Sequence, residues 1–257
     1  MPKLHLLFSI ATLPVVVVAC QPTAAKTETS GNGWILTQKS HMSGLGKVYI
    51  SDKGVKVSLQ SGVNITSVSP FRQVCIYSEK TKKMHHLPFE KFRGQFQRVV
   101  ALVTGASFTE IPLLPEGATK VLGIEAQRYT STAKYQSYQR ATFKGRTISN
   151  SAAESAECTV SSAITPLPQI GTFLDRLYGL PKMNGVPLEA TFVDLNKNKQ
   201  IHLVTSSAIK SNVPESDLST PAGLKEVPTS EDVTVGANDD EAMQLILDGA
   251  DRKMLHP

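Results

Sequence analysis

The hydrophobic pattern changes period along the chain. From Trp34 onward, short runs alternate apolar and polar positions. Residues 47–59 (KVYISDKGVKVSL) make two such runs around Ser51-Asp52-Lys53-Gly54, a hairpin pattern in which Gly54 is expected to supply a positive φ. Residues 72–88 (RQVCIYSEKTKKMHHLP) repeat the pattern, so adjacent hairpins of an antiparallel meander are predicted. Further strands are predicted at 120–131, bent at Gly123, and at 157–164 after a serine-rich stretch of no clear pattern. A last hairpin is predicted over 189–194 and 200–208, around Asn196-Lys197-Asn198-Lys199.

Two stretches have a helical period. Phe89, Phe92, Phe96, Val99, Val100 and Val103 fall at steps of three and four with Lys91, Arg93 and Arg98 between them, predicting an amphipathic helix over 89–104 that Gly94 weakens. Ile170, Phe173, Leu174 and Leu177 predict a second helix from Pro168 to Tyr178, ended by Gly179 and Pro181. A short helix over 239–250 is also expected, with acids at its start that suit the macrodipole. Together these elements predict an α+β fold: a curved antiparallel sheet, an unclosed β-barrel, with helices packed over its concave face.

The amino terminus reads differently. Lys3 precedes an uncharged apolar run, LLFSIATLPVVVVA at residues 6–19, that is too short for a spanning helix of about 20 residues. Pro14 within it also disfavours an ordinary helix. A basic start followed by a short apolar run has the form of a secretory signal. Val17-Val18-Ala19-Cys20 resembles a bacterial lipobox. That resemblance implies cleavage after Ala19, a diacylglycerol thioether on Cys20 and a membrane-anchored protein of the cell envelope. Gln21, where the inner-membrane sorting signal would place Asp, leans towards the outer membrane facing the periplasm. Residues 20–33 are then the lipidated terminus and a flexible tether, followed by a folded domain over 34–235 and a tail over 236–257.

Processing would leave about 238 of the 257 residues, enough for one domain with a real core. Removing Lys3 leaves 26 basic and 22 acidic residues, a mild excess without an arginine-rich run, so nucleic acid is not an expected partner. The basic stretch from Arg72 to Arg98 reads as a solvated face or as a contact for anionic lipid. With Cys20 lipidated, Cys75 and Cys158 remain, either as a disulfide or as two separate buried thiols.

Catalytic chemistry has little support. The sequence has no HExxH, no GxSxG, no SxxK and no GxxxxGK[ST], and no cysteine pair has zinc-site spacing. His85 and His86 are neighbours on a strand and point to opposite faces, so they cannot easily hold one ion. No metal, cofactor or enzymatic activity is expected.

The order of segments resembles the LolA/LolB-like lipoprotein-carrier superfamily across roughly residues 34–228. The resemblance rests on the KVYIS–GVKV hairpin, VCIYSEKTKKMHHLP, VLGIEAQRYTS, GLPKMNGVPLEA, and HLVTSSA before STPAGLKEV. It is a likeness of pattern and implies no individual ligand-contacting residue. It does imply a cavity between sheet and helices that takes a lipid, a lipoprotein acyl chain or another apolar ligand. Phe92, Phe96, Phe173 and Leu177 are the candidate lining, since both predicted helices would turn them to the sheet. The alternative is a structural or interaction lipoprotein of the envelope, its interior filled by its own side chains and its partner another envelope protein.

Overall fold

The computed structural model describes residues 32–93, 111–131, 135–137, 141–143, 146–148, 151–165, 167–193 and 197–234. A meander opens the chain: β1 (Gly33–Ser40), β2 (Gly44–Ser51), β3 (Gly54–Leu59), β4 (Val63–Val68), β5 (Gln73–Ser78) and β6 (Lys83–Pro88). After a 3-10 turn at Phe89–Lys91 come β7 (Leu114–Val121) and β8 (Ile124–Ser131). Four three-residue strands follow: β9 (Tyr135–Ser137), β10 (Ala141–Phe143), β11 (Arg146–Ile148) and β12 (Ser151–Ala153). Then come β13 (Ser155–Ser161), α1 (Pro168–Tyr178), β14 (Val186–Val193), β15 (Lys199–Ser211), α2 (Glu215–Leu218), β16 (Lys225–Glu226) and α3 (Ser230–Thr234).

Twelve strands form one sheet in the order β16-β6-β5-β4-β3-β2-β1-β15-β14-β13-β8-β7. Every pairing in it is antiparallel except β16 beside β6. The predicted meander and the β14–β15 hairpin are present. The central joint was not foreseeable: β1 pairs with β15 from Gly33↔Ser211 to Ser40↔Leu203, with an irregularity at Thr37/Gln38.

The α+β expectation is overturned. The described helices have 11, 4 and 5 residues and form no helical layer over the sheet. The predicted helix at 89–104 does not start: Phe89–Lys91 is a single 3-10 turn, and Phe92 is already extended at φ −67°, ψ 128°. Its carbonyls are bonded elsewhere. Phe92 N and Arg176 Nη1 both donate to Phe89 O, at 3.1 and 2.7 Å. Arg93 Nη1 donates to Glu90 O and to Phe92 O, both at 2.7 Å. An α-helical continuation needs those oxygens for amides four residues on. Residues 94–110 and the expected 239–250 helix lie outside the described residues.

Helix α1 forms where predicted. Pro168 stands in its first turn and Gly179 closes it at φ 64°, the left-handed cap that glycine adopts without a Cβ penalty. Its Ile170, Phe173, Leu174 and Leu177 join one continuous core with the β-strand residues Leu36, Ile50, Ile65, Ile76, Val160 and Leu203. Gly171 is needed because the helix runs close to the chain at Gly185. A Cβ on it would lie 2.5 Å from Gly185 O.

The other face of β3–β6 is also covered. The strap formed by residues 213–234 crosses it: Thr66 Oγ1 donates to Leu218 O at 2.5 Å, and Thr81 Oγ1 donates to Val233 O at 2.7 Å. Lys225 N and Val227 N donate to Lys82 O and Met84 O, which seats β16 on β6. Every residue of β5 from Val74 to Ser78 is consequently buried, as expected of a strand covered on both faces. Gly54 has the positive φ expected of it, at 158°. Its Cβ would also lie 2.6 Å from Ser67 O, so close approach to β4 excludes a side chain there as well.

Candidate functional site

The predicted lining residues can be placed individually. Phe92, reached from the 3-10 turn, lies on Phe173 of α1 with ring centroids 5.1 Å apart and planes 18° apart. Both rings, and Leu177 one turn further on, have 0% of their surface exposed. The structure thus brings Phe92 and Phe173 together, and it closes all three positions to solvent. Phe96 and Cys20 lie outside the described residues.

Beside this apolar stack sits a buried polar network that sequence reasoning missed. Tyr178 Oη donates to Gln38 Oε1 at 2.7 Å, and Gln38 Nε2 donates to Pro187 O at 2.8 Å and Thr205 Oγ1 at 3.0 Å. Thr205 Oγ1 in turn donates to Leu188 O at 2.6 Å. Four elements, α1, β1, β14 and β15, are tied through one glutamine side chain. A Gln in the alternating strand WILTQKS, at an inward position shared with Leu36, was the signal available in the sequence.

His202 is the network's neighbour. Its Nε2 lies 2.7 Å from Tyr178 O, and because a carbonyl only accepts, that nitrogen carries the proton. The ring meets Phe192 edge-on at 5.2 Å. Burial lowers its pKa to about 4, despite the opposing hydrogen bond to Tyr178, so the imidazole is neutral at pH 7. Asp175 Oδ2 accepts from Met183 N at 2.9 Å and so fixes the chain that returns from α1 to β14. Its Oδ1 is buried without a partner, and burial raises its pKa well above the usual carboxylate value.

The cysteines are equally sheltered. Cys75 and Cys158, the two ends of the disulfide reading, are both free and buried, on β5 and β13. Seven strand-to-strand steps separate those strands in the sheet order. Burial pushes the Cys158 thiol to about 12 and raises Cys75 as well, so both stay protonated and unreactive at neutral pH. Among the described residues, no three His, Cys, Asp or Glu side chains gather as a metal site.

His85 and His86 both hold the strap. His85 Nδ1 lies 3.0 Å from Val227 O, and His86 Nδ1 lies 3.0 Å from Glu226 Oε2. The hydrogen bond from His86 lowers the Glu226 pKa. Their chemistry is used to seat β16 on the edge of β6. The chemically reactive side chains of this interior are therefore buried or bonded to the chain itself, and what remains accessible is its surface.

No protein-family profile matches the chain, and no curated protein matches it. Several solved structures are similar. One is an uncharacterized conserved protein from Thermus thermophilus, 14% identical, with a TM-score of 0.41 over 76% of this chain and 88% of that one. MucB is 13% identical with a TM-score of 0.37, over 77% of this chain and 60% of MucB. MucB in complex with MucA(peri) is 12% identical with a TM-score of 0.36, over 77% of this chain and 56% of that one. All three TM-scores lie below 0.5, so the functional reading rests on this chain's own geometry.

Proposed function

We propose that this chain is a non-enzymatic lipoprotein of the cell envelope, held at the membrane through Cys20, that works as a docking module with its interior filled by its own side chains. The observation that supports a docking module over an apolar-ligand carrier is the Phe92–Phe173 stack. The described residues that would have lined a ligand cavity have no accessible surface. Side chains in such contact already have the dispersion partners that an acyl chain would supply. Anchorage rests on the resemblance of VVAC to a lipobox and on the short apolar run before it.

Titration of the purified full chain with a fluorescent fatty acid tests the filled interior. The expected result is no saturable binding. Micromolar binding that weakens in Phe92→Leu/Phe173→Leu, with the fold retained, would return the protein to the carrier class.

A further inference from the structure

The main sheet has two edges. One is β16, only two residues long and seated on β6 by the strap. The other is β7, eight residues long, which pairs with β8 and takes no further strand among the described residues. From Leu114 to Ala118 every residue of β7 is exposed, and a Cβ on Gly117 would meet nothing within 4 Å. Two large apolar side chains stand open at its ends, Leu114 at 70% and Leu122 at 54% exposure.

Backbone geometry defines how much of this edge can pair. Leu122 at φ 52° and Gly123 at φ 80° make the tight turn to β8, closed by Val121↔Ile124. That closing pair exchanges its hydrogen bonds. Antiparallel alternation then turns the backbone of Val121 and Thr119 to β8, and that of Lys120 and Ala118 outwards. At the other end, Pro115 lacks an N–H and the register shifts between Pro115 and Gly117. The stretch open to another strand therefore runs from Glu116 to Lys120, EGATK, with Ala118 at its centre.

We infer that this edge receives a second copy of the chain, β7 against β7, in antiparallel register about a two-fold axis at Ala118. The inference goes beyond the docking-module reading and does not rest on the filled interior. Charge selects the occupant. About Ala118, Glu116 of each copy lies opposite Lys120 of the other, at both ends of the ladder. An axis at Glu116 or at Lys120 would oppose like charges, which is destabilising. A uniformly acidic or basic strand from another protein would match only one end. Glu116 has no ion-pair partner among the described residues. Lys120 holds Glu125 at 2.6 Å, and its ammonium has further donors to give. Gly117, Ala118 and Thr119 are small, so nothing at the centre holds the two edges apart. The same register carries Leu114 of each copy towards Leu122 of the other, covering both exposed leucines. Such a pairing closes on itself and uses up the open β7 edge of each copy.

The test uses the full chain carrying Cys20→Ser, whose remaining Cys75 and Cys158 are buried. Sedimentation velocity over a concentration series is expected to show a reversible monomer–dimer equilibrium, weak as so small an interface implies. Glu116→Lys is expected to raise the dimer dissociation constant at least about tenfold, with the thermal melt unchanged. Under mild copper-phenanthroline oxidation, Ala118→Cys should give a disulfide-linked dimer, since the two Cα atoms would lie about 5.5 Å apart across the axis. Leu122→Cys is also exposed but should not, because its two copies would stand roughly 26 Å apart along the ladder. A monomer at every concentration, indifference to Glu116→Lys, or equal cross-linking at both positions each overturns the proposal. So does an Ala118→Cys thiol that links in cells to a different envelope protein while the purified chain stays monomeric. The fatty-acid titration reads only the interior, so the two readings fail separately.

Discussion

Tyr178 Oη donates a 2.7 Å hydrogen bond to Gln38 Oε1, joining the last turn of α1 to the first strand across 140 residues of sequence. Neither group has water to fall back on, since Tyr178 is 2% exposed and Gln38 1%. Tyr178→Phe is expected to leave the amide oxygen buried and unpaired and to lower stability by about 1–3 kcal/mol. Urea unfolding at pH 7 measures it. A loss below a few tenths of a kcal/mol would mean that the network is dispensable.

Gly171→Ala should destabilise the protein, against the usual trend. Alanine in a helix interior is ordinarily favoured over glycine by about 1 kcal/mol. Here the new methyl would lie 2.5 Å from Gly185 O, and the obstacle is backbone that cannot swing away. Overpacking of this kind costs about 1–3 kcal/mol. A raised melting temperature for Gly171→Ala would show that α1 and the chain at Gly185 can separate at no cost.

Stability should fall on acidification through His202. Its folded pKa of about 4 lies below the ordinary value of 6.5 because burial penalises the imidazolium. The unfolded chain then binds the proton first, so the stabilising contribution is complete above 6.5 and is lost as pH falls towards 4. A separation of this size amounts to about 3 kcal/mol. Asp175 has the opposite sign, since its raised pKa makes the folded state the better proton binder above 3.8. Urea midpoints at pH 7, 5.5 and 4.5 for the parent and for His202→Gln check this. The variant should show a smaller loss between pH 7 and 4.5, and an unchanged loss would remove His202 as the cause.

Thiol counting separates the two cysteine readings. In a Cys20→Ser chain, Cys75 and Cys158 should be silent to an aromatic disulfide reagent while folded, because both are buried. Denaturation without reductant should expose two thiols per chain; none would indicate a bridge.

The same Cys20→Ser substitution addresses anchorage. The parent chain is expected to incorporate labelled fatty acid and to fractionate with membranes, and the variant to do neither. Labelling of the variant to the parent's level would remove the lipobox reading.

Local pattern carried much of the fold. The β2–β3, β5–β6 and β14–β15 hairpins and α1 with its Gly179 cap were all legible, because each depends on residues close in sequence. The helix expected at 89–104 does not begin within its described residues, 89–93, where Phe89 and Phe92 are buried for different reasons. Phe89 lies edge-on to Phe71 at 6.0 Å, while Phe92 crosses to Phe173. A step of three between two buried aromatics was thus mistaken for one helical face. The short strands β9 to β12 escaped notice because their serine-rich stretch has no sustained apolar alternation to mark them. Of the candidate site, Phe92, Phe173 and Leu177 were expected to face the sheet, as cavity lining or as a filled core; their contact with one another and their closure to solvent came from the structure.

The sequence alone determined the short-range units: the amino-terminal VVAC motif, the glycine-bearing turns and the amphipathic stretch from Ile170 to Leu177. Those features act over a few residues, where backbone sterics and side-chain period dominate. Only tertiary structure decided that β1 would pair with β15, that Gln38 would serve four elements, and that the strap would cover β3–β6. Each joins positions more than a hundred residues apart. Which distant surfaces meet depends on what the whole chain can bury and hydrogen-bond at once, a choice that local pattern does not encode.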